Sequence, residues 1–118
     1  MKTNYIVVLV TAPDSKAAEK LAQGLVERRL AACVSVLPGA TSLYYWEGKC
    51  RRDAETLLVI KTRTAAMAQV IAYVRENHGA RLPEIIALPI AEGDKAYLDW
   101  VGANTIFGKP PEEESAPL

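Results

Sequence analysis

The sequence predicts an α+β fold, an antiparallel sheet with helices on one face, in the order βαββαβ followed by one further helix. Three observations carry this reading. Apolar runs of strand length alternate with segments whose apolar residues recur at helical spacing. A tight Glu47-Gly48 turn joins two extended runs into a hairpin. The chain has 118 residues, 50% of them hydrophobic, which suits a single domain able to bury a core without disulfides.

The elements follow in order. Tyr5 to Thr11 is continuously apolar and rich in β-branched side chains, as expected of a central strand buried on both faces. It is too short for a membrane helix and lacks a signal-type cleavage site. Pro13-Asp14-Ser15 then turns the chain, and Asp14 or Ser15 can accept from the free N–H groups of a helix starting there. In that helix Ala18, Leu21, Ala22, Leu25 and Val26 make one apolar stripe, with Lys16, Lys20, Gln23 and Glu27 opposite. It is expected to end near Arg29, with Arg28 and Arg29 favourably placed in its last turn.

Ala31 to Glu47 and Lys49 to Thr62 read as the two strands of the hairpin, the first interrupted by Pro38-Gly39, which argues for a bulge or an edge position. Thr64 is placed to cap a second helix with the stripe Met67, Val70, Ile71 and Val74, ended by Asn77-His78-Gly79. Ile85 to Ile90 is the last long strand. Gly93-Asp94 turns into a short helix in which Tyr97, Trp100 and Val101 share a face. The arrangement is ferredoxin-like. Residues 1–108 form the domain, and residues 109–118, rich in proline and glutamate, read as a disordered tail.

Composition narrows the function. Fourteen Lys and Arg balance fourteen Asp and Glu, so no net field collects a phosphate backbone, and neither nucleic acid nor a membrane is expected as partner. Two cysteines, Cys33 and Cys50, make no disulfide framework and no CxxC pair; one bridge between them stays open, and a reducing cytoplasm is the simplest setting. There is no G-x-S-x-G, no glycine-rich phosphate loop and one histidine in total, so the chain is not expected to be an enzyme.

The hairpin is too long for the rest of the fold. About 14 residues at roughly 3.3 Å each span on the order of 45 Å, against about 17–20 Å for an ordinary strand. Its tip carries Leu43, Tyr44, Tyr45 and Trp46, an apolar edge that invites pairing. Either a bulge at Pro38-Gly39 breaks the hairpin, or its outer part pairs with another chain, which makes the protein a homo-oligomer.

Several stretches together resemble the CutA family of divalent-cation tolerance proteins: Leu30-Ala31-Ala32-Cys33-Val34, Ser42-Leu43-Tyr44-Tyr45-Trp46-Glu47-Gly48-Lys49, Pro83-Glu84-Ile85-Ile86-Ala87-Leu88-Pro89-Ile90 and Tyr97-Leu98-Asp99-Trp100. The likeness runs in order from Val7 to about Asn104. It implies a trimer similar in architecture to the PII signalling proteins, with hairpins pairing between subunits through Tyr44, Tyr45 and Trp46. It implies a part in the response to divalent metal ions, copper above all, and members of the family are described as copper-binding. Two departures stand out. Ser35 replaces the usual asparagine, and His78-Gly79-Ala80-Arg81 replaces the usual His-Pro-Tyr-Glu, exchanging a carboxylate for a guanidinium.

Copper prefers imidazole and thiolate ligands. The metal candidates are therefore His78, Cys33 and Glu84, none of them a pair at short spacing, although a trimer supplies three copies of each. The other roles open to these residues are a helix C-cap for His78 and a small buried hydrophobe for Cys33. In the family pattern Lys61 and Glu84 approach a cleft between subunits, with Tyr97 and Trp100 nearby, and Arg81, a departure from that pattern, makes the cleft more positive if its segment lines it. There they bind a small polar metabolite, or they serve as an ion pair and interface packing.

Overall fold

Side-chain alternation along one strand organises the molecule. Strand β1 (Tyr5–Ala12) buries Ile6, Val8, Val10 and Ala12 on one side and leaves Tyr5, Val7, Leu9 and Thr11 half-buried on the other. The computed structural model describes residues 3–106, so the tail expected over residues 109–118 lies outside the described residues. After β1 come helix α1 (Ser15–Glu27), strands β2 (Cys33–Trp46) and β3 (Lys49–Arg63), helix α2 (Met67–Asn77), strand β4 (Ile85–Pro89) and helix α3 (Lys95–Ala103). The sheet order is β2-β3-β1-β4 with every pairing antiparallel, the expected α+β sandwich.

The core lies between the sheet and helices α1 and α2. Val8 and Val10 of β1 and Leu58 and Ile60 of β3 meet Leu25 of α1 and Val70 and Val74 of α2, all without solvent contact. Each such side chain stabilises the fold by about 1.5–3 kcal/mol relative to exposure. Asp14 caps α1 by accepting from the Ala17 N–H at 2.8 Å, and Asp94 caps α3 by accepting from the Tyr97 N–H at 3.0 Å.

Three local expectations are corrected. β1 is covered on one face only, because the described chain places both long helices on the same side of the sheet. Helix α1 stops at Glu27: the Arg28 N–H bonds the Gly24 carbonyl, the Arg29 N–H bonds the Val26 carbonyl, and Arg29 adopts φ +57°, so neither arginine sits in the last turn. Arg29 instead reaches α3, donating from Nη2 to the Ala103 and Thr105 carbonyls at 2.9 and 3.2 Å. Thr64 opens a 3₁₀ turn (Thr64–Ala66) that precedes α2, and its side chain caps nothing. Helix α3 buries Leu98, Val101 and Gly102, and Tyr97 and Trp100 stand half-buried with their rings in contact, on the face expected to hold them with Val101.

The hairpin keeps its full length. β2 and β3 pair from Cys33 opposite Lys61 out to Trp46 opposite Lys49, with one register shift between Leu37 and Ala40. That bulge falls at Pro38-Gly39, where Gly39 has φ +90°; it kinks the strand without ending the ladder. At the tip Glu47 and Gly48 both have positive φ, +50° and +77°, as a type I′ turn requires. Residues 43–54 are exposed throughout, and the hairpin stretches the molecule to 52 Å.

Candidate functional site

Helices α1 and α2 occupy one face of the sheet, so chemistry gathers on the open face and around the hairpin. The open face is apolar along its middle. Val7 and Leu9 of β1 lie beside Leu57 and Val59 of β3 and Ile86 and Leu88 of β4. Ile86 and Leu88 are 52% and 49% exposed, unusual for the hydrophobic positions of a sheet.

At the Tyr5 end of this face, Cys33 stands directly opposite Lys61, which stands opposite Val7. Cross-strand partners share a face, so the thiol and the ammonium are neighbours. Lys61 Nζ donates to Ser35 Oγ at 2.7 Å. Helix α3 lies against the same end, and Tyr97 brings its hydroxyl to the Cys33 thiol. Burial first, and Cys33 second, push Tyr97 above the usual phenol range. The Tyr97 and Trp100 rings meet at 5.9 Å, tilted by 30°.

At the Ala12 end the organising group is His78. As the C-cap of α2 its backbone N–H bonds the Val74 carbonyl at 2.8 Å. Its ring reaches across to β1, where Nε2 meets the Thr11 carbonyl at 2.5 Å, and Nδ1 faces the Ala80 N–H at 3.3 Å. Gly79, at φ +86°, turns the chain so that residues 80–84 run beside the hairpin. Between them lies a groove of about 790 Å³ walled by Tyr44, Tyr45 and Trp46 on one side and Arg81, Leu82 and Glu84 on the other. A neighbouring cavity of about 670 Å³ runs under Gly79 and Ala80 to Arg52, Asp53 and Glu55. Tyr44 Oη donates to Asp53 Oδ2 at 2.5 Å, and that bond holds the Tyr44 hydroxyl above the usual phenol range.

The expected residues thus fall into two groups. Cys33, Lys61, Tyr97 and Trp100 are at one end of the sheet; His78, Arg81 and Glu84 are at the other. Val7 and Thr11, which mark the two ends on β1, are four residues or about 13 Å apart. One chain therefore does not bring His78 to Cys33, nor Lys61 to Arg81. Among the described residues no group of three or more His, Cys, Asp or Glu could hold a metal ion. The His78 ring meets backbone through both nitrogens, the geometry of a cap. Sequence reasoning missed Thr11 and Ala80, because they act through backbone groups that leave no mark in residue type. Ser35 was legible only as a departure from the family pattern.

Fold and surface define a ferredoxin-like sandwich with a projecting aromatic hairpin and an apolar sheet face that, among the described residues, the helices leave open. The family model "CutA1 divalent ion tolerance protein" matches residues 6–104. The divalent-cation tolerance protein CutA of Yersinia pestis (strain Pestoides F) is 45% identical over 104 residues, 88% of this chain and 87% of that one. The solved structure of the divalent cation tolerance protein from Thermus thermophilus is 48% identical, with a TM-score of 0.84 over 86% of this chain and 98% of that one. A CutA structure from Archaeoglobus fulgidus, described as periplasmic, is 38% identical, with a TM-score of 0.80 over 82% of this chain and 94% of that one. The chain belongs to the CutA1 divalent ion tolerance family.

Proposed function

We propose that this chain works in divalent-cation tolerance, copper included, as a homotrimer whose open sheet faces and aromatic hairpins bury one another. The observation that carries the reading is the uncovered apolar face, Val7, Leu9, Leu57, Val59, Ile86 and Leu88, together with the exposed Leu43, Tyr45 and Trp46. A surface of this kind favours association over exposure to water. Light scattering on the eluting protein is expected to give three times the 12.9 kDa of one chain. A mass of one chain at micromolar concentration overturns the assembly.

In this reading the divalent cation is met between subunits, since Cys33 and Glu84 are separated within one. His78 is left out of the metal set because its ring is engaged with backbone. Copper titration followed by electron paramagnetic resonance tests this: Cys33→Ala and Glu84→Ala are expected to weaken binding at least tenfold, and His78→Ala to leave the copper signal unchanged. Undiminished binding in the first two removes them as ligands. The cytoplasm fits two free thiols, and fractionation of cells expressing the untagged chain checks that location; no helix of the described residues is long and apolar enough to cross a membrane.

One observation favours a second reading, a small polar metabolite bound at the subunit clefts. Arg81 and Glu84 line the groove beside three aromatic side chains, and among the described residues neither makes an ion pair. A thermal-shift screen of nucleotides and carboxylates against the assembled protein tests it; silence across the screen removes it.

A further inference from the structure

We infer that His78 is a proton-sensitive latch that holds residues 79–84 closed against the hairpin and releases them when its ring takes up a proton. The inference is independent of what the groove binds. The Thr11 carbonyl can only accept and the Ala80 N–H can only donate, so their positions select one form of the ring. That form is neutral, with the proton on Nε2 and a lone pair on Nδ1. The other neutral tautomer sets a lone pair against the Thr11 oxygen and a proton against the Ala80 proton. The imidazolium keeps the bond to Thr11 and loses the one to Ala80, with two donors left facing each other.

Breaking that bond has consequences because little else holds the segment. Among the described residues, Ala80 N–H to His78 Nδ1 is the hydrogen bond that ties residues 79–84 back to the fold. The segment is also exposed, apart from the half-buried Pro83. It is nevertheless a wall of both cavities on the Ala12 side, so its release widens the space between hairpin and sheet. The charges around the ring come from each element packed near it. Lys20 stands on α1, Arg51, Arg52, Asp53 and Glu55 on β3, and Arg81 and Glu84 on the segment itself. With both signs present, the selection against the imidazolium rests on the two backbone partners.

The chain has a single histidine, so one imidazole gives an unambiguous signal. Long-range ¹⁵N–¹H spectra of the full-length labelled protein, recorded from pH 8.5 to pH 5, are expected to show the Nε2–H tautomer at the upper end. Ring protonation should then coincide with a three- to tenfold fall in hydrogen-exchange protection at Ala80, corrected for intrinsic rate. His78→Gln, which offers a donor and an acceptor but no titration, is expected to abolish the pH response of residues 79–84. An Nδ1–H tautomer at pH 8.5, a ring that does not titrate in this range, a ring that titrates while residues 79–84 stay unchanged, or the same pH response in His78→Gln overturns the latch. If His78→Gln does not fold, the spectra of the unmodified chain decide alone.

Discussion

At the scale of single residues, the informative side chains are those whose polar atoms are buried or desolvated. Thr62 is fully buried, and its Oγ1 donates to the Leu30 carbonyl at 2.7 Å, tying β3 to the segment between α1 and β2. Thr62→Val keeps the shape and removes the donor, so it is expected to destabilise the fold by about 1–2 kcal/mol in urea denaturation. Tyr97 supplies a prediction in pH. Its hydroxyl is raised above 10.0 by burial, with Cys33 adding to the shift, so the folded state retains the proton better than the unfolded chain does. Its contribution is complete below about pH 10 and disappears as pH rises through the folded value. The unmodified protein should therefore lose stability above pH 10, and Tyr97→Phe should reduce that loss; parallel curves for the two would show that Tyr97 is not its source. The aromatic character of Tyr97 was legible in the sequence. Its meeting with Cys33 was not, since 64 positions separate the two and only the packing of α3 onto the sheet joins them.

At the scale of elements, strand and helix identity was legible nearly throughout, because alternation and helical spacing report local geometry directly. The ends were less so. Ser, Thr, Asp and Asn all suit a helix start, and sequence alone does not say which of Thr64 or its neighbours bonds a free N–H; the 3₁₀ turn at Thr64–Ala66 removed the question. Asp14 is a true cap, and Asp14→Ala is expected to cost about 1 kcal/mol, read from the unfolding midpoint. The hairpin turn carries a residue poorly suited to its backbone: Glu47 sits at φ +50° where asparagine is better tolerated. Glu47→Asn should stabilise the hairpin by a few tenths of a kcal/mol, also removing the Arg51–Glu47 contact at 3.7 Å, which is exposed and contributes little. A lowered melting temperature in that variant would count against the type I′ assignment.

At the scale of the whole molecule, the described residues form a sandwich with one sheet face uncovered, and the prediction concerns that side. Val59 lies in the middle of the open face, opposite Leu9, and Val59→Glu places a carboxylate where partner subunits are proposed to meet. Light scattering is expected to show the assembly shifting towards single chains, while Thr62→Val, on the covered face, leaves the mass unchanged. The sequence by itself determined the order of elements, the length of the hairpin and the aromatic tip, because each depends on neighbours in the chain. The tertiary structure alone decided which residues meet. Counting pairs back from the Glu47-Gly48 turn without interruption sets Lys61 opposite Val34, towards the helices; the one-residue shift between Leu37 and Ala40 sets it opposite Cys33, on the open face. A strand repeats every two residues, so a single extra residue exchanges the faces, and with them the partners of every side chain beyond the bulge.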